Sequence, residues 1–278
     1  MQRRGLKKII QEPIAEIRPS NITRRVHKRN IIKTKSIQPA RGFAQRALEI
    51  KNSEVPTGKP VKYSVVPRKF EGETIYIIGG GSSLKNFNFD QLKGLKTIAI
   101  NKAVFFHQEA DVLYWTDSRF YTWYKNDIDN FNGLKFALKP GSQYTTDIKV
   151  LRKGIQYGLE KDPHVLAHGN NSGYAAINLA YHLGANRIIL LGFDMHNNGK
   201  DTHFHDGYPT RPAGDHIYRD KFLPGFKELE RSLRVEGVTV FNASPHSSLN
   251  EFPKITLAQA LSFRWSLSIS HKLPLFFL

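Results

Sequence analysis

Thr74–Leu84 reads TIYIIGGGSSL: five strand-favouring residues run straight into three glycines and two serines. A short apolar run of this kind is the signature of a buried parallel strand. Glycines at its carboxyl end let the backbone turn sharply and approach a ligand closely. Ser82 and Ser83 can cap the next segment and offer donors to a phosphate. The stretch therefore predicts a nucleotide-binding strand-to-loop turn, although Gly79–Gly80–Gly81 lacks the full G-x-G-x-x-G spacing.

Working outward, the same strand–loop–helix alternation repeats. Strands are predicted at 97–101, 110–116, 134–138, 164–167 and 238–241, and the most apolar one, RIILLG at 187–192, reads as the sheet centre. A helix is predicted over 172–184, where Ala175, Leu179 and Leu183 recur four apart and Gly184 stops it. A second amphipathic helix spans 225–236, closed by Gly237, and 89–93 and 257–261 read as single helical turns. This order predicts an α/β fold, a Rossmann-like, mostly parallel sheet with helices on both faces, in a single domain over 63–260.

Composition bounds what lies outside that domain. Residues 1–51 hold 14 Lys and Arg against three acids, which is +11 of the net +17 of the 278-residue chain. Residues 1–62 show few large apolar groups and no period, so they read as a largely extended or disordered basic arm. Such an arm can neutralise phosphates of a nucleic acid, or dock another protein. There is no cysteine, so disulfides and thiolate metal sites are excluded. No apolar signal segment and no membrane-spanning run is evident, which predicts a cytoplasmic protein. The tail 261–278 ends in LPLFFL but is interrupted by Arg264, His271, Lys272 and Pro274. It suits peripheral membrane contact or packing on a partner, a second copy of the chain included.

Ligands in open α/β sheets bind beyond the carboxyl ends of the strands. Small polar residues recur there: Gly79, Gly80, Gly81, Ser82 and Ser83 after the first strand, Asn101 after the second, Asp117 after the third. Asn171, Ser172 and Gly173 open the 172–184 helix, and Asp194 and His196 follow the RIILLG strand. Together they predict one pocket for a polar, anionic, nucleotide-like ligand. The long polar segment 194–220 carries His196, His203, His205 and His216 with Asp201, Asp206, Asp215 and Asp220. His203-x-His205 has the residue types of a metal site but lacks the H-E-x-x-H helix, so acid–base work by a lid His or Asp is the favoured reading. Asp127-x-Asp129 lies away from any strand end and reads as a surface pair.

These motifs resemble those of a bacterial sialyltransferase family. IIGGGSSLKNFNFDQLKGLKTIAIN resembles its G-N-G-P-S-L start and following C-N strand end, NNSGYAAINLAYHLGANRIILLGFDMHNNG its S-G-helix-strand-G-I-D-F-Y segment, and NASPHSSL its C-P-N-S-L. The match covers roughly 74–253 and is poor between 120 and 162. The same skeleton resembles 6-hydroxymethylpterin pyrophosphokinase-like proteins and phage proteins related to both, and the chain looks most like the phage members. The resemblance implies a Rossmann-like, metal-independent glycosyltransferase that moves a sugar from a CMP-type donor to a hydroxyl of a glycan or of modified DNA. It implies that Gly79, Gly81 and Ser83 face the nucleotide phosphate, Asn101 the nucleotide or sugar, and Ser172 and Gly173 the donor, with Asp194 shaping the strand end. The family's Tyr after G-I-D-F is His196 here, and its catalytic His falls on Asp220, with His216 four residues earlier. Asp220 or His216 is therefore the expected base, and His203 or Tyr218 the expected partner of the leaving phosphate. Two rivals remain: a pyrophosphokinase-like phosphoryl transferase that needs magnesium, and a non-catalytic phage protein that binds nucleotide or DNA.

Overall fold

A computed structural model describes residues 62–263, apart from 142, 198–201, 207 and 210–213. The basic arm up to residue 61, Asp201 and the tail from 264 lie outside the described residues. Nine strands are described: β1 Thr74–Ile78, β2 Lys96–Ile100, β3 Val112–Trp115, β4 Leu134–Ala137, β5 Ile148–Val150, β6 Arg152–Lys153, β7 Val165–Leu166, β8 Arg187–Leu191 and β9 Thr239–Asn242. The helices are α1 Ser118–Trp123, α2 Lys125–Asp129, α3 Ser172–His182, α4 Asp215–Ile217, α5 Phe226–Val235 and α6 Leu257–Ser262. A π-turn, Tyr218–Phe222, continues α4.

The main sheet has seven strands in the order β5-β4-β3-β2-β1-β8-β9. Each neighbouring pair is parallel. This is the Rossmann-like α/β architecture that the alternation predicts. Strand side chains alternate between the two faces. Ile75, Ile77, Ile188 and Leu190 point to the face covered by α3 and α5, where Leu179, Leu183, Phe226 and Leu229 meet them. Tyr76, Ile78, Ile189 and Leu191 point to the other face, with Leu84, Phe120, Ile128 and Ala260. The Tyr76 hydroxyl donates to the Ala260 carbonyl at 2.7 Å, which ties α6 to that second face.

α3 is almost wholly buried. That burial explains its weak amphipathic pattern, since a helix covered on all sides needs no polar stripe. Its polar residues serve as internal fasteners. Asn178 accepts from the Glu160 and Ala167 N–H groups, and its amide donates to the Glu160 carbonyl. α3 thus fixes the segment that carries β7.

Three expectations are corrected. RIILLG forms β8, which lies next to the sheet edge strand β9 while β2 occupies the centre. A strand covered on both faces carries the same apolar run at any interior position, so hydrophobicity did not rank them. The 164–167 strand does not join the main sheet; β7 pairs only with β6. β5 and β6 were not foreseen, because they are only 3 and 2 residues long and too short to show a period. Within 194–220, the end is helical rather than irregular. Among the described residues, no helix is long and apolar enough to cross a membrane.

Leu190 is fully buried between β1 and β9. Leu190→Ala is expected to lower unfolding free energy by about 3 kcal/mol. Urea denaturation should show the midpoint fall with the slope unchanged.

Candidate functional site

The chain runs from β1 outward to β5 in one direction, then returns to place β8 and β9 on the other side of β1. The loops after β1 and β8 therefore diverge, and this switch point is where open sheets form a crevice. A cavity of about 310 Å³ lies there. Its wall combines Gly79–Gly81, Asn101, Asn170–Gly173, Gly192–His196, Thr202, His203, Tyr208, Tyr218 and Phe222. The volume falls at the lower end of the range for small-molecule pockets, roughly 300–1,000 Å³.

Two adjacent loop ends are locked together by one carboxylate. Asp194 accepts the Ser83 N–H at 2.8 Å, the Ser83 hydroxyl at 2.5 Å and the Ser82 hydroxyl at 3.3 Å. Gly79 N–H donates to the Leu191 carbonyl and Gly81 N–H to the Gly192 carbonyl, at 2.8 and 2.9 Å. The glycines are needed for this approach. A Cβ on Gly79 would sit 2.6 Å from the Gly192 oxygen, and one on Gly81 would sit 2.5 Å from the Asp194 carboxylate. The glycine run thus serves first as a seam between β1 and β8. Gly80 differs, since its carbonyl accepts the Phe204 N–H at 3.1 Å and draws the 202–208 strip over the loop. Its own N–H has no protein partner among the described residues.

Asp194 is held from behind as well. Ser244 Oγ accepts the Phe193 N–H, Ser247 Oγ donates to the Phe193 carbonyl, and Ser248 N–H donates to the Asp194 carbonyl. His196 places Nε2 2.9 Å from the His246 carbonyl. The serines after β9 therefore brace the β8 loop.

α3 presents its amino end to the cavity. Asn171 caps it by accepting the Tyr174 N–H at 2.8 Å. Ser172 and Gly173 lie in the first turn, where N–H groups have no intrahelical acceptor and the helix dipole favours an anion. The Ser172 hydroxyl is 2.6 Å from that of Thr116. Gly173 leaves room for the Phe193 ring, which a Cβ would meet at 2.7 Å.

Backbone strain gathers at the same place. Among the described residues, three non-glycine residues have positive φ, Asn101 (52°), Asn170 (60°) and Met195 (56°), and all three line the cavity. Asn tolerates this conformation; Met does so rarely. Such strain persists only where the surroundings enforce it, and it clusters at functional sites.

Burial favours the neutral form of three groups in the cavity wall, His203, Tyr208 and Tyr218. Burial lowers His203 below the ordinary imidazole range, and the Lys102 charge adds to this. Burial pushes Tyr208 up to about 12. The Tyr208 hydroxyl also bonds the Asn101 side chain and the Lys102 backbone. Burial raises Tyr218, with Asp215 and Asp194 nearby.

Of the sequence-predicted residues, Gly79, Gly80, Gly81, Asn101, Asn171, Ser172, Gly173, Asp194, His196, His203 and Tyr218 share this cavity. Five do not line it. Ser82 and Ser83 give their hydroxyls to Asp194 instead of facing the cavity. Asp117 caps α1 through the Arg119 N–H and pairs with the Arg119 guanidinium, which holds its carboxyl below the usual range. Asp220 is paired with Arg219 at 2.7 Å, exposed, and likewise held low. His216 is also exposed, one helical turn before Asp220. The reason is helical phase. Tyr218 and Phe222 turn inward, so His216 and Asp220 turn outward. Thr202 and Tyr208 were missed; Asn170 and Met195 stand at strand ends where the pocket is expected, but a lone Asn or Met beside a turn carries no signal of its φ. Among the described residues, no cluster of three or more His, Asp or Glu side chains could hold a metal ion.

No family model and no curated protein sequence matches the chain. Solved structures of similar fold come from Campylobacter jejuni. The sialyltransferase CstII in complex with cytidine-5'-monophosphate is 15% identical, covering 67% of this chain and 86% of that one, at a TM-score of 0.41. The monofunctional α-2,3-sialyltransferase Cst-I is 17% identical, covering 66% and 80%, at 0.39. An α-2,3-sialyltransferase in apo form is 16% identical, covering 70% and 84%, at 0.39. At this distance no residue role passes from those proteins to this chain.

Gly81→Ala drives a Cβ into Asp194 and the Gly192 carbonyl. It is expected to cost about 2 kcal/mol or more in stability. Gly94→Ala meets no atom within 4 Å and strains only its own φ of +76°. It should cost about 1 kcal/mol. Paired denaturation curves of the two variants check the difference.

Proposed function

We propose that this chain transfers a sugar from a nucleotide-activated donor of the CMP-sugar type to a hydroxyl acceptor, without a metal. The observation that carries this reading is the cavity at the β1/β8 switch point, whose wall holds the strained non-glycine residues Asn101, Asn170 and Met195. The motif resemblance set out above supports the same reading. The open Gly80 N–H and the first turn of α3 would receive the donor's anionic part. Asn101 and Asn171 would meet its ribose or sugar, and the Phe193, Tyr218 and Phe222 rings supply apolar wall for a base.

In the reaction, the bond from the sugar's anomeric carbon to the phosphate oxygen breaks, and the acceptor oxygen bonds that carbon. The acceptor loses a proton, and the leaving phosphate keeps the electron pair. A base must be unprotonated at the working pH and reach the cavity. We assign this role to His203, which lines the cavity and stays neutral for the reasons given. Asp220 and His216 would serve only after the 215–222 turn rotates by about half a turn, since two residues on a helix span roughly 200°. Fixed backbone donors then stabilise charge as it develops on the leaving phosphate.

Thermal-shift measurements with CMP, UDP, GDP and ATP, each with and without magnesium, separate this reading from its rivals. CMP alone, at 100 times its dissociation constant, is expected to stabilise the chain by about 2.7 kcal/mol, an upward shift of several degrees. Stabilisation by ATP only when magnesium is present would contradict the proposal and favour phosphoryl transfer.

A further inference from the structure

A buried cation stands beside the cavity. Lys102 follows Asn101 at the end of β2, and its side chain is 8% exposed. A lysine is rarely buried to this extent without a partner. Its ammonium pairs with Asp206, whose own side chain is 85% exposed. It also lies over two rings, 5.7 Å from the Tyr124 centroid and 6.0 Å from that of Tyr208. Asp206 and Tyr208 belong to the 202–208 strip, Tyr124 to the turn between α1 and α2.

The strip has other ties as well, the Tyr208 hydroxyl to Asn101 and the His205 ring on Phe106 among them. Phe204 N–H bonds the Gly80 carbonyl, and the Phe204 ring packs on Phe89 and Phe106 at 5.5 and 4.8 Å. His203 stacks on His205 at 4.8 Å, with Tyr208 edge-on to both. What holds Asp206 and Tyr208 therefore helps to place His203.

We infer that Lys102 is the positioning residue of this pocket: its buried ammonium pins the 202–208 strip to the end of β2 and fixes His203 beside Gly80. The pin acts by charge as well as by contact. Burial is the main cause that lowers His203 and His205, and the Lys102 charge adds to it at both rings. The groups around His203 are His205, Asp206 and Tyr208 on its own strip, Lys102 at the end of β2, and Asp194, His196 and Tyr218 on the other walls. The inference rests on the glycosyl-transfer reading only for what His203 does, not for how it is held.

The test uses the full chain with no nucleotide present. Histidine-labelled protein gives the His203 imidazole titration by NMR, assigned with H203Q. K102M is expected to raise the His203 midpoint by about half a pH unit or more. K102R keeps the charge and should leave it within about 0.2 units of the native chain. D206N removes the carboxylate but keeps the cation, so the midpoint should hold or fall. Both K102M and D206N should speed exchange of the Phe204 amide about tenfold. An unmoved midpoint in K102M would overturn the inference. So would an equal rise in D206N, which would mean that loosening of the strip, not the charge, moves His203. D206N and K102R alter an exposed partner and conserve the charge, so they decide the matter even if K102M fails to fold. Failure of the nucleotide reading would leave each of these outcomes readable.

Discussion

The Asp194 carboxylate holds the molecule's functional end together. It stands just past β8 and accepts three hydrogen bonds from Ser82 and Ser83, just past β1. Two parallel strands tend to splay where their chain directions diverge, and here one buried anion spans the gap. An anion buried to 5% exposure is costly unless each lone pair is met. The serine hydroxyls and a backbone N–H meet that demand. The glycines remove every side chain that would stand in the way.

From this constraint the rest of the pocket follows. With the β1 and β8 loops closed on each other, Gly80 and the α3 amino end still offer N–H groups to a ligand. The loop's strain falls on Met195, one residue beyond Asp194, and the serines after β9 brace it from below. The 202–208 strip then needs a separate anchor, and the buried Lys102 supplies it. The pocket is a set of loop ends made rigid by neighbours, which suits binding without a large reorganisation on ligand entry.

Much of the fold was legible because buried parallel strands write themselves as apolar runs between glycine turns. TIYII, TIAI and RIILL all read as strands and are strands. Their order in the sheet was less legible, since β8 and β2 carry equally apolar faces. β6 and β7 form a two-stranded annex whose pairing depends on α3 and Asn178, a long-range contact with no local trace. In the site, strand ends located the pocket residues, because topology alone brings those ends together. Side-chain direction was not legible. Ser83 and Asp117 looked like ligand donors, yet each is occupied by a protein partner. Asp220 sits at the position the family motif implies, but the phase of the 215–222 turn aims it at solvent and Arg219. Such facing depends on a helix start that no spacing rule marks.

The central claim is that the seam between β1 and β8, with the α3 amino end, is a nucleotide phosphate site. Amide chemical-shift mapping on addition of CMP, without metal, tests it most directly. The account predicts that the largest shifts fall on Gly80, Ser172 and Gly173, with smaller ones at Asn101 and His203. Shifts confined to residues outside this set, with Gly80 and Gly173 unmoved at saturation, would contradict it.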